Sequence, residues 1–243
     1  MSGDWEKTVL RLLTPHKTNF KKKRVGSDKD GGYVICHEIN PDALYSYGSD
    51  DNISFEKSFY ELYKKPSFVY DHTIEKITDK PDYINFFREG VGNEKTENLD
   101  TIKNHLIKNN HLENRNLVMQ MDVEGCEWDV LEYQPIDNFM ELIIEFHLYP
   151  SMFSNNLFHG KVINTLTYIN KYFTPVHIHG NNACSLENKP WLTENLPMCM
   201  EVTFMRNDLI KGSTLDTDDY PDTEFDKDNN PDLPSMKLNW SAV

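Results

Sequence analysis

The sequence has few cysteines, and their spacing argues against a fold held together by zinc or by many disulfides. The four thiols, Cys36, Cys126, Cys184 and Cys199, are widely spaced and form no CxxC pair. Neither a structural zinc site nor a dense disulfide framework is therefore indicated. Cysteines used in this way are typical of a reducing compartment, and we expect a cytoplasmic protein.

Positive charge is also in short supply. Lysine and arginine number 25 against 39 aspartate and glutamate residues, which gives a formal net charge of −14. Such a chain repels a phosphate backbone, so we expect no nucleic-acid partner.

Long apolar runs are missing as well. No stretch approaches the roughly 18 apolar residues that a membrane-spanning helix needs, and the N-terminal sequence MSGDWEKTVLRLLTPHK has too short an apolar stretch for a signal peptide. We therefore expect no membrane partner. The 243 residues are enough to bury a full core within one α/β domain.

Composition and pattern divide the chain into three parts. Residues 1–23 are predicted to form an N-terminal helical extension, and residues 24–206 alternate strand and helix patterns in a main domain. Residues 207–243 are rich in aspartate and interrupted by prolines. Because such a segment repels itself and has little to bury, we expect an exposed or poorly packed acidic tail.

Apolar runs that end in a turn or an acid recur through the main domain. YSYGSDDNISFE, residues 45–56, is typical of a strand, a tight turn and a helix, and FVYDHT, residues 68–73, ends a second strand with an acid. The last two strand candidates, residues 175–179 and 200–205, leave no room for a crossover helix and are predicted to pair antiparallel. We expect a mostly parallel sheet with an antiparallel edge strand and helices on both faces.

Two further strand candidates bring ionisable groups to one edge of this sheet. LVMQMDVEGCEWDVL, residues 117–131, is an apolar run that ends at Asp122, and LIIEFH, residues 142–147, ends in Glu145 and His147. Open α/β sheets bind ligands at the carboxyl ends of their strands. This convergence indicates an enzyme.

The first strand-to-helix turn favours a cationic ligand. Gly48 is its single glycine, so the turn fails the GxGxxG dinucleotide pattern, and the nearby Asp50, Asp51 and Glu56 disfavour a pyrophosphate. Asp71 follows at the tip of the next strand, where an acid either accepts hydrogen bonds from ribose hydroxyls or caps a turn. A ribose, an amine and a positive sulfur, as in S-adenosylmethionine, satisfy these features together.

The order of these motifs resembles a known enzyme family. YSYGSDDNISFE, FVYDHT, LVMQMDVEGCEWDVL and LIIEFH look like the successive motifs of the FkbM-type S-adenosylmethionine-dependent methyltransferases. The resemblance spans roughly residues 24–205, and DVEGCEW is its most specific element. It implies a Rossmann-like class I methyltransferase fold for the main domain.

The resemblance also implies positions for the methyl donor. Gly48, Ser49, Asp50 and the helix start at Ser54 would hold the methionine part, with Glu56 close by. Asp71 would bind the ribose, and Asp122 would lie near the sulfonium or the acceptor. The remaining implied residues, which would flank adenine, are Gly90, Val91 and Gly92.

His147 is the candidate general base, and strand alternation places Glu145 on the same face, where it could orient the imidazole. The other reading is a histidine with a structural role at a strand end. Oxygen and imidazole ligands could also bind a divalent cation; the candidates are Asp122, Glu124, Glu145, His147 and His179. Glu127 is expected to stabilise the start of the next helix.

These observations favour an O-methyltransferase that uses S-adenosylmethionine and acts on a sugar or a glycan-linked small acceptor. One alternative is a non-catalytic module that binds a nucleoside or glycan on the same fold. Another is a dinucleotide or nucleotide-sugar enzyme, which the missing GxGxxG and the acidic first loop disfavour.

Overall fold

The computed structural model describes residues 3–154, 157–184 and 189–238. Its helices are α1 (Gly3–Leu13), α2 (Ser54–Tyr63), α3 (Ile102–Lys108), α4 (Glu127–Val130) and α5 (Leu157–Asn170), with a 3₁₀ turn at Pro150–Ser154. Its strands are β1 (His16–Lys17), β2 (Lys22–Gly26), β3 (Gly32–Cys36), β4 (Ala43–Tyr47), β5 (Ser67–Tyr70), β6 (Ile84–Phe87), β7 (Gly90–Val91), β8 (Leu99–Asp100), β9 (Leu117–Met121), β10 (Phe139–His147), β11 (Phe173–Gly180), β12 (Cys199–Arg206) and β13 (Thr214–Leu215).

Within these residues the central sheet has seven strands in the order β11-β12-β10-β9-β4-β5-β6. All neighbours are parallel except where β12 meets β10 and β11. The predicted Rossmann-like, mostly parallel sheet is confirmed, as is the antiparallel pairing of the last two strands. The antiparallel strand is not at the edge, however. Helix α5 returns the chain so that β11 runs parallel to β10 one strand away, and β12 fills the gap between them.

Apolar side chains cover both faces of the sheet, because successive strand residues point to opposite sides. Tyr45 and Met119 join one core with residues of α1, α3, α4 and α5. Leu44 and Val118 join a second core with residues of α2 and of the β2–β3 hairpin. Helices on both faces, as expected, hold the carboxyl ends of the central strands in place.

Both ends of the described chain pack onto the domain. Val9 and Leu13 of α1 are fully buried against α5, so the N-terminal helix belongs to the main core. In the C-terminal segment, Tyr220, Met236 and Leu238 are each only 3% exposed. The expectation of a poorly packed tail is therefore wrong for the segment that these side chains anchor, whereas residues such as 207–208, 211–212 and 217–219 are exposed as expected. Residues 1–2 of the predicted extension and 239–243 of the predicted tail lie outside the described residues.

Specific polar contacts explain why the acidic segment packs. Asp226 Oδ1 lies 2.8 Å from His177 Nε2, and Asn229 donates to Glu201 Oε1 at 2.8 Å. The composition of the segment indicates repulsion among its acids. It does not show the partners on β11 and β12 that offset this repulsion.

A disulfide joins Cys184 to Cys199, with the Cα atoms 5.8 Å apart. It ties the segment after β11 to the start of β12. The bond runs against the sequence-based expectation of a reducing compartment, because disulfides persist mainly in oxidising ones. No helix among the described residues has the length and apolar character to span a membrane.

Candidate active site

A cleft opens where β4 and β9 end side by side in the sheet. From these two strands the chain proceeds outward in opposite directions, toward β6 and toward β10. Such a switch point is where open α/β sheets bind ligands. The cleft has a volume of about 300 Å³, which is enough for a small-molecule site.

Most of the predicted donor-site residues come together here. Those that line the cleft are Gly48, Ser49, Asp50, Glu56, Asp71, Gly90, Val91 and Asp122. Ser54 and Gly92 do not line it: Ser54 Oγ donates to Gly31 O at 3.4 Å, and the Gly92 N–H donates to Asp100 O at 2.9 Å. These two residues support neighbouring segments instead.

Gly48 allows the turn after β4 to pass close to the end of β9. Its φ is +76°, and a Cβ at this position would lie 1.8 Å from the carbonyl oxygen of Asp122. Both conditions exclude larger residues, since L side chains disfavour this backbone region. The glycine is therefore required to bring the turn and Asp122 to one place.

Asp71 holds the same turn from the tip of β5. Its Oδ2 accepts hydrogen bonds from the N–H groups of Ser49 at 3.1 Å and Asp50 at 3.0 Å, and its Oδ1 accepts from the N–H and hydroxyl of Thr73. Burial alone would raise the pKa of Asp71, but these hydrogen bonds outweigh it and keep the pKa below its ordinary value. Asp71 thus shapes the cleft through contacts within the protein.

Glu56 lines the cleft and has one carboxylate oxygen without a hydrogen-bond partner among the described residues. The residue is 2% exposed, and its Oε1 accepts from Ser46 Oγ at 2.5 Å. Its Oε2 is buried without a hydrogen-bond partner among the described residues, and burial raises the pKa of Glu56. A buried polar atom without a partner is costly and calls for an explanation.

One end of the cleft is apolar and closely packed. Val91 and Leu99 line it beside Gly90 and His72. A Cβ at Gly90 would come within 2.4 Å of His72 Nδ1 and 2.7 Å of Leu99 Cδ2. The missing side chain therefore lets His72 and Leu99 pack directly against the backbone of Gly90.

Asp122 occupies the wall between the cleft and a buried ionisable cluster. Its Oδ2 accepts a hydrogen bond from Tyr33 Oη at 3.2 Å, and its Oδ1 is buried without a hydrogen bond, 3.8 Å from His147 Nε2. Burial raises the pKa of Asp122 to about 7, with further upward contributions from Glu127 and Glu124, whereas His147 opposes them.

His147 and Glu145 lie behind Asp122 rather than on the cleft wall. His147 Nδ1 is 3.1 Å from Glu127 Oε1, while Nε2 lies 3.5 Å from Glu124 Oε2 and 4.0 Å from Glu145 Oε1. Burial lowers the pKa of His147, but the bond to Glu127 and the surrounding carboxylates outweigh this and raise it. The imidazole thus stands among four carboxylates.

The carboxylate that contacts the imidazole differs from the predicted one. Glu145 instead accepts a hydrogen bond from Asn181 Nδ2 at 2.7 Å, and burial raises its pKa. The partner of His147 is Glu127, for which the sequence indicated only a helix-start role. Tyr33 was also missed, because nothing in its local sequence relates a hairpin residue to the end of β9.

The predicted metal ligands are only partly assembled. Ligating atoms of Asp122, Glu124 and His147 lie within 4.8 Å of one another. Those of Glu145 and His147 form a second group of this size with Cys199, which is held in the disulfide. His179 is not part of this group, because its Nδ1 lies 3.1 Å from Glu201 Oε2 on the neighbouring strand.

The cleft carries a strong excess of negative charge. No lysine or arginine of the described chain lines it. Its acidic residues are Asp30, Asp50, Glu56, Asp71, Asp122 and Glu124. A ligand that bears positive charge is therefore favoured over a phosphate or another anion.

Neither a protein-family model nor a curated protein sequence matches this chain. Among solved structures the chain is similar to the plantazolicin methyltransferase BpumL, crystallised with a triazolic desmethylPZN analogue and SAH. The two share 12% sequence identity over 69% of this chain and 77% of that chain, with a TM-score of 0.37. A likeness of this size carries no argument, so any functional conclusion depends on the cleft itself.

Proposed function

We propose that this protein is an S-adenosylmethionine-dependent methyltransferase. The observation that carries the proposal is a cleft at the switch point of a Rossmann-like sheet, lined by six carboxylates and by no described lysine or arginine. Two of these carboxylates, Glu56 and Asp122, have a buried oxygen without a hydrogen bond. A donor with a sulfonium and an ammonium group would provide the missing positive charge.

Each part of such a donor can be assigned to residues that line the cleft. We assign Glu56 Oε2, which has no hydrogen bond, to the methionine ammonium, and the part of the cleft at Gly90 and Val91 to adenine. We assign Asp71 to the ribose. Its contact with the Thr73 hydroxyl is the one that a ribose hydroxyl can replace, since that hydroxyl can rotate away.

We further propose that the acceptor is a hydroxyl of a sugar or a glycan-linked small molecule, in keeping with the resemblance to the FkbM-type enzymes. S-adenosylmethionine supplies a methyl group on positive sulfur: the acceptor oxygen forms the new C–O bond while the C–S electron pair stays on sulfur. Asp122 meets the acceptor at the cleft wall and takes the hydroxyl proton on Oδ1, which has no hydrogen bond. The proton then passes from Asp122 to His147 Nε2, which lies 3.8 Å behind it. Glu145 holds Asn181 beside this pair.

Orientation and proton removal contribute unequally to such a displacement. Holding the two reactants in line can lower the barrier by roughly 7–11 kcal/mol. A general base adds about 10²–10⁴-fold in rate. Most of the catalysis is therefore assigned to the cleft walls, and a smaller part to Asp122 and His147.

A divalent cation is a second candidate for the acceptor side, because Asp122, Glu124 and His147 group their ligating atoms within 4.8 Å. A metal would acidify the acceptor hydroxyl and would make His147 a ligand rather than a base. Assays after EDTA treatment, with Mg²⁺ or Mn²⁺ restored, distinguish the two. Activity that survives EDTA assigns proton removal to the Asp122–His147 pair alone.

Titration calorimetry on the purified protein tests the donor site. We expect binding of S-adenosylmethionine and of S-adenosylhomocysteine, and weaker or no binding of NAD and of nucleotide sugars. A folded protein that binds neither sulfur nucleoside, or that prefers NAD, would overturn the proposal.

Methyl transfer to a panel of sugars and glycosides, followed by mass spectrometry, tests the acceptor. A mass gain of one methyl group on a hydroxyl is the expected result. Donor binding without transfer to any acceptor would instead favour the non-catalytic nucleoside- or glycan-binding module.

A further inference from the structure

We infer that Glu127 is a positioning residue that fixes the tautomer and orientation of His147, so that Nε2 faces Asp122 with its lone pair. The part that Glu127 plays in proton removal rests on the proposed methyltransferase function. The tautomer of the imidazole ring does not depend on that function and can be measured in the protein without any substrate.

The hydrogen bonds of Glu127 determine which proton the ring carries. Glu127 is fully buried, and its Oε1 accepts from the N–H groups of Val123 at 3.0 Å and Gly125 at 3.1 Å. Because Oε1 already accepts two hydrogen bonds, it also acts as an acceptor toward His147 Nδ1, which lies 3.1 Å away. Nδ1 must therefore carry the N–H. In the neutral ring, Nε2 then carries the lone pair.

The turn formed by the sequence DVEGCE, residues 122–127, brings the Glu127 carboxylate within hydrogen-bond distance of the His147 ring. Glu124 has φ +55° and Gly125 has φ +101°, so the chain turns back on itself directly after β9. A left-handed conformation is unfavourable for Glu124, and such strain persists where the surroundings impose it. The turn aims the N–H groups of Val123 and Gly125 at the carboxylate, which is thereby immobilised.

Helix α4 also holds the backbone of His147. The indole N–H of Trp128 donates to the carbonyl oxygen of His147 at 2.7 Å. Two consecutive residues of α4 thus fix the side chain and the main chain of one residue on β10. A carboxylate bound to Nδ1 of an imidazole is the arrangement by which enzymes orient a histidine base.

Other ionisable groups face the opposite nitrogen. Nε2 is surrounded by Asp122, Glu124 and Glu145 at 3.5–4.0 Å, and the Tyr149 ring lies 5.4 Å from the imidazole. Across the ladder from His147 is Cys199, which is held in the disulfide. Glu127 is the only described residue with a hydrogen bond to Nδ1, so no other contact of the described chain would orient the ring in its place.

Nitrogen NMR of ¹⁵N-histidine-labelled protein tests the inference without any activity. The His147 signals are assigned by their loss in His147→Gln and recorded at a pH where the ring is neutral. We expect a protonated Nδ1 and an unprotonated Nε2 in the wild type, and a shift toward the other tautomer in Glu127→Gln. A wild-type ring protonated on Nε2 would overturn the inference, even if Glu127→Gln failed to fold.

Kinetics then separate positioning from a merely structural role. In Glu127→Gln we expect kcat to fall on the order of 10²-fold, with an altered pH profile and a KM for S-adenosylmethionine within about threefold. Asp129→Asn is the matched control, since it removes an exposed acid from the same helix, where it pairs with Lys161. An unchanged kcat and pH profile in folded Glu127→Gln would refute the inference that Glu127 positions His147. If the wild-type protein transferred no methyl group, the proposed function would be refuted, but the NMR result on the tautomer would still hold.

Discussion

Replacing Glu56 by glutamine keeps the size of the side chain and removes its charge. The carboxylate is 2% exposed, Ser46 satisfies one of its oxygens, and the other has no partner. In the ligand-free protein this arrangement is costly, whereas a bound ammonium group would make it favourable. The variant should therefore change stability and donor affinity in opposite directions.

The structure sets the size of both effects. A hydrogen bond to a charged group contributes about 1.5–3 kcal/mol, so the Kd for S-adenosylmethionine should rise roughly 10- to 150-fold. An unsatisfied buried group costs about 1–3 kcal/mol. Removing its charge should stabilise the free protein by about 1 kcal/mol, which corresponds to a rise in Tm of roughly 2–4 °C for a chain of this size.

Calorimetry and thermal unfolding measure the two quantities on the same preparation. Glu141→Gln is the matched control, because Glu141 is also fully buried with an orphan Oε2 but lies outside the cleft, where it accepts from the Cys36 N–H at 2.6 Å. Both variants should gain stability, and only Glu56→Gln should lose affinity. Unchanged affinity in Glu56→Gln would refute the assignment of this carboxylate to the donor ammonium.

Three further predictions concern the walls of the cleft and the buried acids. Gly48→Ala should destabilise the fold by more than the roughly 1–2 kcal/mol that a left-handed backbone costs an L residue, because its methyl group would also meet the Asp122 carbonyl. Chemical denaturation measures this loss, and a value below about 0.5 kcal/mol contradicts the tight turn. Asp71→Asn puts donors against the N–H groups of Ser49 and Asp50, so affinity for S-adenosylhomocysteine should fall roughly tenfold or more by calorimetry. Burial raises the pKa of Glu141 from 4.5 to about 8, so the carboxyl group binds its proton more tightly in the folded state. The wild-type free energy of unfolding should therefore fall by up to about 5 kcal/mol as the pH rises from 4.5 to about 8. Glu141→Gln should lack that loss in denaturation curves recorded at about pH 5 and about pH 9, and parallel curves for the two proteins would contradict the shift.

The sequence was most informative where structure is local. The turn at Gly48 and the acids at the ends of β5 and β9 were predicted from short patterns, because strand alternation and turn chemistry act over a few residues. The common edge of the sheet then followed from parallel packing. For this reason Gly48, Asp71 and Asp122 could be placed at one edge of the sheet before the strand order was known.

Contacts between distant parts of the chain were not predictable in this way. Glu145 was expected to orient His147 because the two share a strand face, yet Glu127 occupies that position after the turn at Gly125. Likewise, the acidic C-terminal segment was expected to stay exposed, although its Asp226 has a buried partner in His177. Charge composition describes repulsion within a segment but not attraction to the surface on which it folds.

Local patterns thus determined the α/β class, the turn that requires Gly48 and the placement of Asp71 and Asp122 at strand ends. Only the tertiary structure decided that β12 lies between β10 and β11, that Tyr33 reaches Asp122 and that Glu127 holds His147. The physical reason is the range of the interactions: alternation and turns depend on neighbouring residues, whereas these contacts depend on how whole elements pack around a shared core.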